Sequence, residues 1–134
     1  MTIKYTNVST ENNKKLKILI VEDDHYSLML LKILVKNYCR EVILALNGVE
    51  AVLTCQNNPD IDLVLMDVKL PIMDGYEATK KIREFNKDLV IIAQTAFAIN
   101  REKEIAIAAG CTGYITKPIP RNFIVQILNK YFPE

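Results

Sequence analysis

The sequence predicts an α/β domain in which helices wrap a five-stranded parallel sheet, a (βα)5 arrangement. Three observations lead there. Five apolar runs of strand length alternate with longer segments of helical period, the order expected of strand–helix–strand units. Most of those runs are nearly continuous in Val, Ile and Leu, as strands covered on both faces must be. The 134 residues suffice for one buried core but not for two.

Residues 1 to 15 are polar and show no hydrophobic period, which predicts a flexible leader or linker before a domain spanning 16 to 134. The first strand is LKILIVE (16 to 22), and a helix over 25 to 38 follows its acidic end. EVILAL (41 to 46) leads into a helix over 48 to 57, where Asn47 and Glu50 stand at capping-box spacing. DLVLM (62 to 66) precedes a helix over 75 to 85, with Asp74 and Glu77 at the same spacing. LVIIAQ (89 to 94) precedes a helix over 99 to 109, and Gly110 is placed as its C-terminal stop. GYIT (113 to 116) is followed by the most regular segment, 120 to 131, in which Ile124, Ile127, Leu128 and Tyr131 recur at helical spacing. Pro120 suits a first helical turn there. Right-handed crossovers then place helices on both faces of the sheet.

Composition narrows the function. Half of the residues are apolar, a quarter are charged, and the formal net charge is +1 with no basic run, which argues against a nucleic-acid or membrane-surface partner. No apolar stretch approaches the roughly 20 residues of a membrane span, and the N-terminus is too polar for a signal peptide, so a cytoplasmic location is expected. Cys39, Cys55 and Cys111 lie far apart without metal-ligand spacing and are read as free thiols.

In a parallel sheet every strand ends at the same edge, and ligands bind there. That edge would gather Glu22, Asp23 and Asp24 from the first strand, Asp67 from the third, Thr95 from the fourth, and Lys117 and Pro118 from the fifth. Two carboxylates about 4 Å apart repel by about 4 kcal/mol at an effective dielectric near about 20. Glu22, Asp23 and Asp67 therefore call for a cation. Lys117 supplies one charge; a divalent ion with hard oxygen ligands, Mg²⁺ or Mn²⁺, neutralises more.

These residues, in this order, resemble the receiver domains of two-component response regulators. The likeness covers Leu16 to Tyr131 and rests on ILIVEDD, DLVLMDVKLPIMDG, the IRE helix end, IIAQTAFA and GYITKP together. Its wording, EATKKIRE and IIAQTAFA above all, is similar to receivers of hybrid sensor histidine kinases. The resemblance implies a flavodoxin-like, doubly wound sheet of order 2-1-3-4-5. It implies that Asp67 is the phosphoacceptor for a phosphohistidine, that Asp23 holds the metal directly and Glu22 through water, and that the backbone carbonyl of Lys69 completes the protein's share. Thr95 would bond the phosphoryl oxygen, Lys117 would pair with it, and Tyr114 would be the aromatic switch residue. The Lys117–Pro118 bond would be cis. Lys69 and Phe97 stand where receivers vary and would set the phosphoryl lifetime by controlling water access. Gln94, before Thr95, matches hybrid-type receivers.

The implied function is a Mg²⁺-dependent phosphoacceptor that switches a protein-interaction face around the fourth helix, fifth strand and fifth helix. Its enzymatic chemistry would extend only to its own phosphorylation and dephosphorylation. A histidine kinase or a histidine phosphotransfer protein would be the partner, and the domain a monomer or a weak phosphorylation-dependent dimer. A hybrid sensor kinase is the favoured parent; a stand-alone regulator and a Mg²⁺-dependent small-molecule phosphohydrolase are the alternatives. Against the phosphohydrolase, no second acid is placed as a general base beside Asp67. Asp24 and Asp74 are read as helix caps, and His25, the only histidine, as an exposed first-turn residue.

Overall fold

The computed structural model describes residues 15–96 and 100–133. The elements follow in strict alternation: β1 (Leu16–Val21), α1 (His25–Val35), a 3-10 turn (Lys36–Tyr38), β2 (Cys39–Ala45), α2 (Gly48–Asn57), β3 (Leu63–Asp67), α3 (Gly75–Arg83), β4 (Val90–Thr95), α4 (Asn100–Ala109), β5 (Gly113–Thr116) and α5 (Phe123–Tyr131). All strand pairs are parallel, in the order β2-β1-β3-β4-β5. The fold is the flavodoxin-like one.

Alternation along the strands divides two cores. Ile18 and Ile20 of β1, Leu63 and Leu65 of β3 and Ile92 of β4 pack with Leu28, Leu31 and Val35 of α1 and Phe123, Ile124 and Ile127 of α5. Their neighbours Leu19, Val21, Val64, Met66, Ile91 and Ala93 face the other way, onto Ala51 and Cys55 of α2, Ala78 and Ile82 of α3 and Ala106 of α4. Each central strand is thus apolar on both sides, which is why its sequence reads as an unbroken run.

The helix starts are fixed by local side chains. Asp24, Asn47 and Asp74 accept hydrogen bonds from the amides of Ser27, Glu50 and Glu77 at 2.9, 2.8 and 2.8 Å. Gly110 adopts φ 106° just past α4, a conformation that suits glycine alone. Several boundaries differ from the sequence expectation. α1 ends at Val35 and tightens into the 3-10 turn, and α3 ends at Arg83 as Glu84 and Phe85 bond back three residues. β2 begins at Cys39, earlier than its apolar pattern suggests, because as an edge strand it carries exposed Arg40 and Glu41. α5 begins at Phe123, not Pro120: the Pro120 carbonyl accepts from the Phe123 amide, so the proline shapes the preceding turn. Residues 1–14 of the expected leader, and Phe97, lie outside the described residues.

Candidate functional site

Three strand ends and one loop meet at the C-terminal edge of the sheet. Glu22 follows β1 and bonds its amide to the Ala45 carbonyl of β2, so it continues the strand line. Asp67 is the last residue of β3, paired in register with Gln94 of β4. Both carboxylates are buried, at 1% and 6% exposure, while Asp23 is exposed. One carboxylate oxygen from each of Glu22, Asp23 and Asp67 can be chosen so that all lie within 4.8 Å of one another.

Lys117 reaches this cluster from beyond β5. Its amide bonds to the Thr95 carbonyl at 2.7 Å, and its ammonium stands 3.1 Å from Asp67 Oδ1 and 3.5 Å from Glu22 Oε1. The Lys117–Pro118 peptide is cis. Burial acts to lower the lysine pKa, but the hydrogen bond and charge of Asp67, reinforced by Glu22, outweigh it and hold the ammonium above its usual range. Burial pushes the Glu22 carboxyl up; Asp67 adds to that shift, while the Asp24 amide at 3.1 Å and Lys117 oppose it. Three carboxylates against one ammonium leave an excess of negative charge facing hard oxygen donors. That set suits a divalent cation.

The loop after Asp67 is pinned from both sides. The Gly75 amide bonds to the Val68 carbonyl at 2.9 Å, and a Cβ on Gly75 would stand 2.2 Å from the Asp67 carbonyl oxygen, so the start of α3 packs against the acceptor's own backbone. Lys69 is exposed at the same edge. Thr95 is buried at the end of β4, and Tyr114 is half-buried against the α2–α3–α4 core. Asp24 and Asp74 cap helices, and His25 is exposed in the first turn of α1. The thiols are free, two of them buried, and burial raises the Cys55 pKa to about 11. Two features escaped the sequence reading: the buried amide of Gln94 beside Asp67, and a hydrogen bond from the Tyr76 hydroxyl to Glu102 across 26 residues.

A family model described as the response regulator receiver domain matches residues 18–129. The chain belongs to that family. It is accordingly a receiver domain of two-component signalling. A hybrid signal transduction histidine kinase of Dictyostelium discoideum is 39% identical over 127 residues, which are 91% of this chain and 4% of that relative. The chain therefore spans a small part of the curated relative it matches. The receiver domain of a Pseudomonas aeruginosa sensor histidine kinase, solved with a magnesium ion in its active-site cleft, superposes with TM-score 0.80 at 31% identity, covering 90% of this chain and 100% of that one. A chain from a Saccharomyces cerevisiae complex of a histidine phosphotransfer protein with a downstream receiver domain gives TM-score 0.80 at 30% identity, covering 87% and 88%. Among the described residues no helix is long and apolar enough to cross a membrane.

Proposed function

We propose that this receiver accepts a phosphoryl group on Asp67 from a phosphohistidine and belongs to a cytoplasmic part of a hybrid sensor histidine kinase, with residues 1–15 as its linker. The observation that carries the reading is the Lys117 ammonium on both Asp67 and Glu22, which joins strand ends 50 and 95 residues away in sequence. An Asp67 oxygen attacks phosphorus, a P–O bond forms, and the P–N bond breaks with the imidazole nitrogen keeping the electron pair and taking a proton. Catalysis of such a step is mostly positioning and charge neutralisation. Lys117 supports both, since its ammonium already touches the attacking carboxylate.

Glu22, Asp23 and Asp67, with the Lys69 carbonyl, would hold Mg²⁺, or Mn²⁺ in its place, which when bound supplies further positive charge for the phosphoryl oxygens. The acidic cluster supports that fit. After transfer Asp67 carries about two negative charges instead of one. Thr95, buried one residue beyond the Asp67 partner Gln94, would bond the new oxygens, and Tyr114 would report the change at the α4–β5–α5 face. Lys69 and Phe97 would set the lifetime of the product. The donor is read as a histidine kinase or phosphotransfer protein. Support comes from an exposed apolar stripe on α1, which starts beside the acids.

Incubation with acetyl phosphate and Mg²⁺ followed by intact-mass measurement tests the acceptor. The wild type is expected to gain the mass of one phosphoryl group and Asp67→Asn none. A gain of equal size in the variant would end the reading.

A further inference from the structure

Gln94 puts an amide in the buried end of β4. It is 1% exposed, and neither its amide nitrogen nor its carbonyl oxygen has a hydrogen-bond partner; among the described residues no other buried side-chain nitrogen or oxygen is left so. A buried amide without a partner loses its hydration and gains nothing in return, so it destabilises the state in which it is unpaired.

Its position gives the amide a use. Ile92 packs in the α1–α5 core and Ala93 in the opposite one, so alternation turns Gln94 toward the α1–α5 face. The same alternation turns Asp67, after Leu65 and Met66, and Glu22, after Ile20 and Val21, to that face. Val21 pairs with Met66 and Asp67 with Gln94, so Glu22, Asp67 and Gln94 form a row across β1, β3 and β4. Lys117 leaves the chain beyond β5, bonded to the carbonyl of Thr95, and its ammonium ends on Asp67 and Glu22. To get there the lysine stem must cross the end of β4, the strand that carries Gln94.

We propose that Gln94 is a positioning residue for phosphoryl transfer, its amide carbonyl accepting a hydrogen bond from the Lys117 ammonium in the phosphorylated state. The inference rests on the reading of Asp67 as phosphoacceptor. In the unphosphorylated protein the ammonium is directed at the two carboxylates, and its contact with Glu22 is already long at 3.5 Å. Once Asp67 bears a phosphoryl group, the ammonium follows the new oxygens, the Glu22 contact is released, and one of its three N–H donors turns to Gln94. The amide thereby penalises the resting state and favours the modified one. That difference is the condition for shifting a population.

Gln94→Met keeps the side-chain length and removes the amide. The variant alone is expected to melt about 3 °C above the wild type, since the unpaired group is gone. Its gain in Tm on adding Mg²⁺ and beryllofluoride, a phosphoryl mimic, is expected to be smaller than the wild-type gain. With acetyl phosphate its maximal labelling rate should fall about fivefold while the half-saturating concentration stays put, the mark of an interaction made only as transfer proceeds. A glutamine that merely fills space would move both melting temperatures together; an equal gain and an unchanged labelling rate overturn the proposal. Should Gln94→Met not fold, a crystal structure of the wild type with Mg²⁺ and beryllofluoride decides. Lys117 Nζ within about 3.5 Å of Gln94 Oε1 supports the proposal, and a longer separation overturns it. Failure of the acceptor reading looks different: the wild type stays unlabelled, or Asp67→Asn is labelled equally.

Discussion

Ile72 holds a backbone conformation that a β-branched side chain resists. Its φ is 72°, and the Met73 amide bonds across it to the Pro71 carbonyl at 2.7 Å, closing a γ-turn in the loop that follows Asp67. The loop is over-determined on both sides, by Gly75 on the Val68 carbonyl and by Gly48 on that of Met73, so this one residue absorbs the strain. Ile72 is also 82% exposed and contributes little burial. Ile72→Gly, which has no Cβ to clash at a positive φ, is therefore expected to stabilise the protein by about 1 kcal/mol. Urea denaturation checks it: the midpoint should rise at constant slope, and an unmoved midpoint means that the turn costs nothing.

Elements are coupled by contacts that span them, and Tyr76 with Glu102 is the clearest case. Tyr76 sits in the first turn of α3, after the acceptor strand; Glu102 sits in the first turn of α4, after the strand of Thr95; the phenol donates to the buried carboxylate. Burial pushes the Tyr76 pKa up, and the hydrogen bond to Glu102 and its charge push it further. A folded pKa above the unfolded value of about 10 means stability fully present below about pH 10 and lost as pH rises beyond it. Tyr76→Phe should cost about 2 kcal/mol at neutral pH, the worth of a hydrogen bond to a charged group. The deficit should be constant up to about pH 9 and shrink as pH rises through about pH 10 and beyond in paired denaturation curves; a pH-independent deficit would point to packing alone. This link was illegible in the sequence because it depends on how two helices lie side by side. The strands were legible because Val, Ile and Leu runs such as DLVLM leave one reading, and the caps because Asp24, Asn47 and Asp74 act within three residues. Pro120 misled, since a fixed φ suits a turn as well as a helix start. Gln94 was read only as a match to hybrid-type receivers, because its lack of a partner appears only in the folded structure.

At the scale of the whole molecule, the sheet brings the acids to one edge and α1 runs outward from that edge. The helix is apolar on two sides. Leu28, Leu31 and Val35 enter the core, while Tyr26, Met29, Leu30 and Ile33 form an outer stripe at i, i+3, i+4 and i+7, with Tyr26 84% and Ile33 66% exposed. Such a stripe has the spacing with which one helix packs on another, and the proposed phosphodonor would seat on it. Tyr26 lies two residues past Asp24, so a helical partner seated on the stripe would bring its phosphohistidine to Asp67. Ile33→Glu separates this docking from the chemistry. The side chain is exposed, so stability should change by less than about 0.5 kcal/mol. Labelling by acetyl phosphate, a donor too small to touch the stripe, should match the wild type. Transfer from a phosphorylated histidine phosphotransfer protein that labels the wild type should fall at least about tenfold, because an ionised carboxylate in an apolar contact must be desolvated without a partner. Equal transfer by both proteins would move the donor's seat away from α1, toward the α4–β5–α5 face.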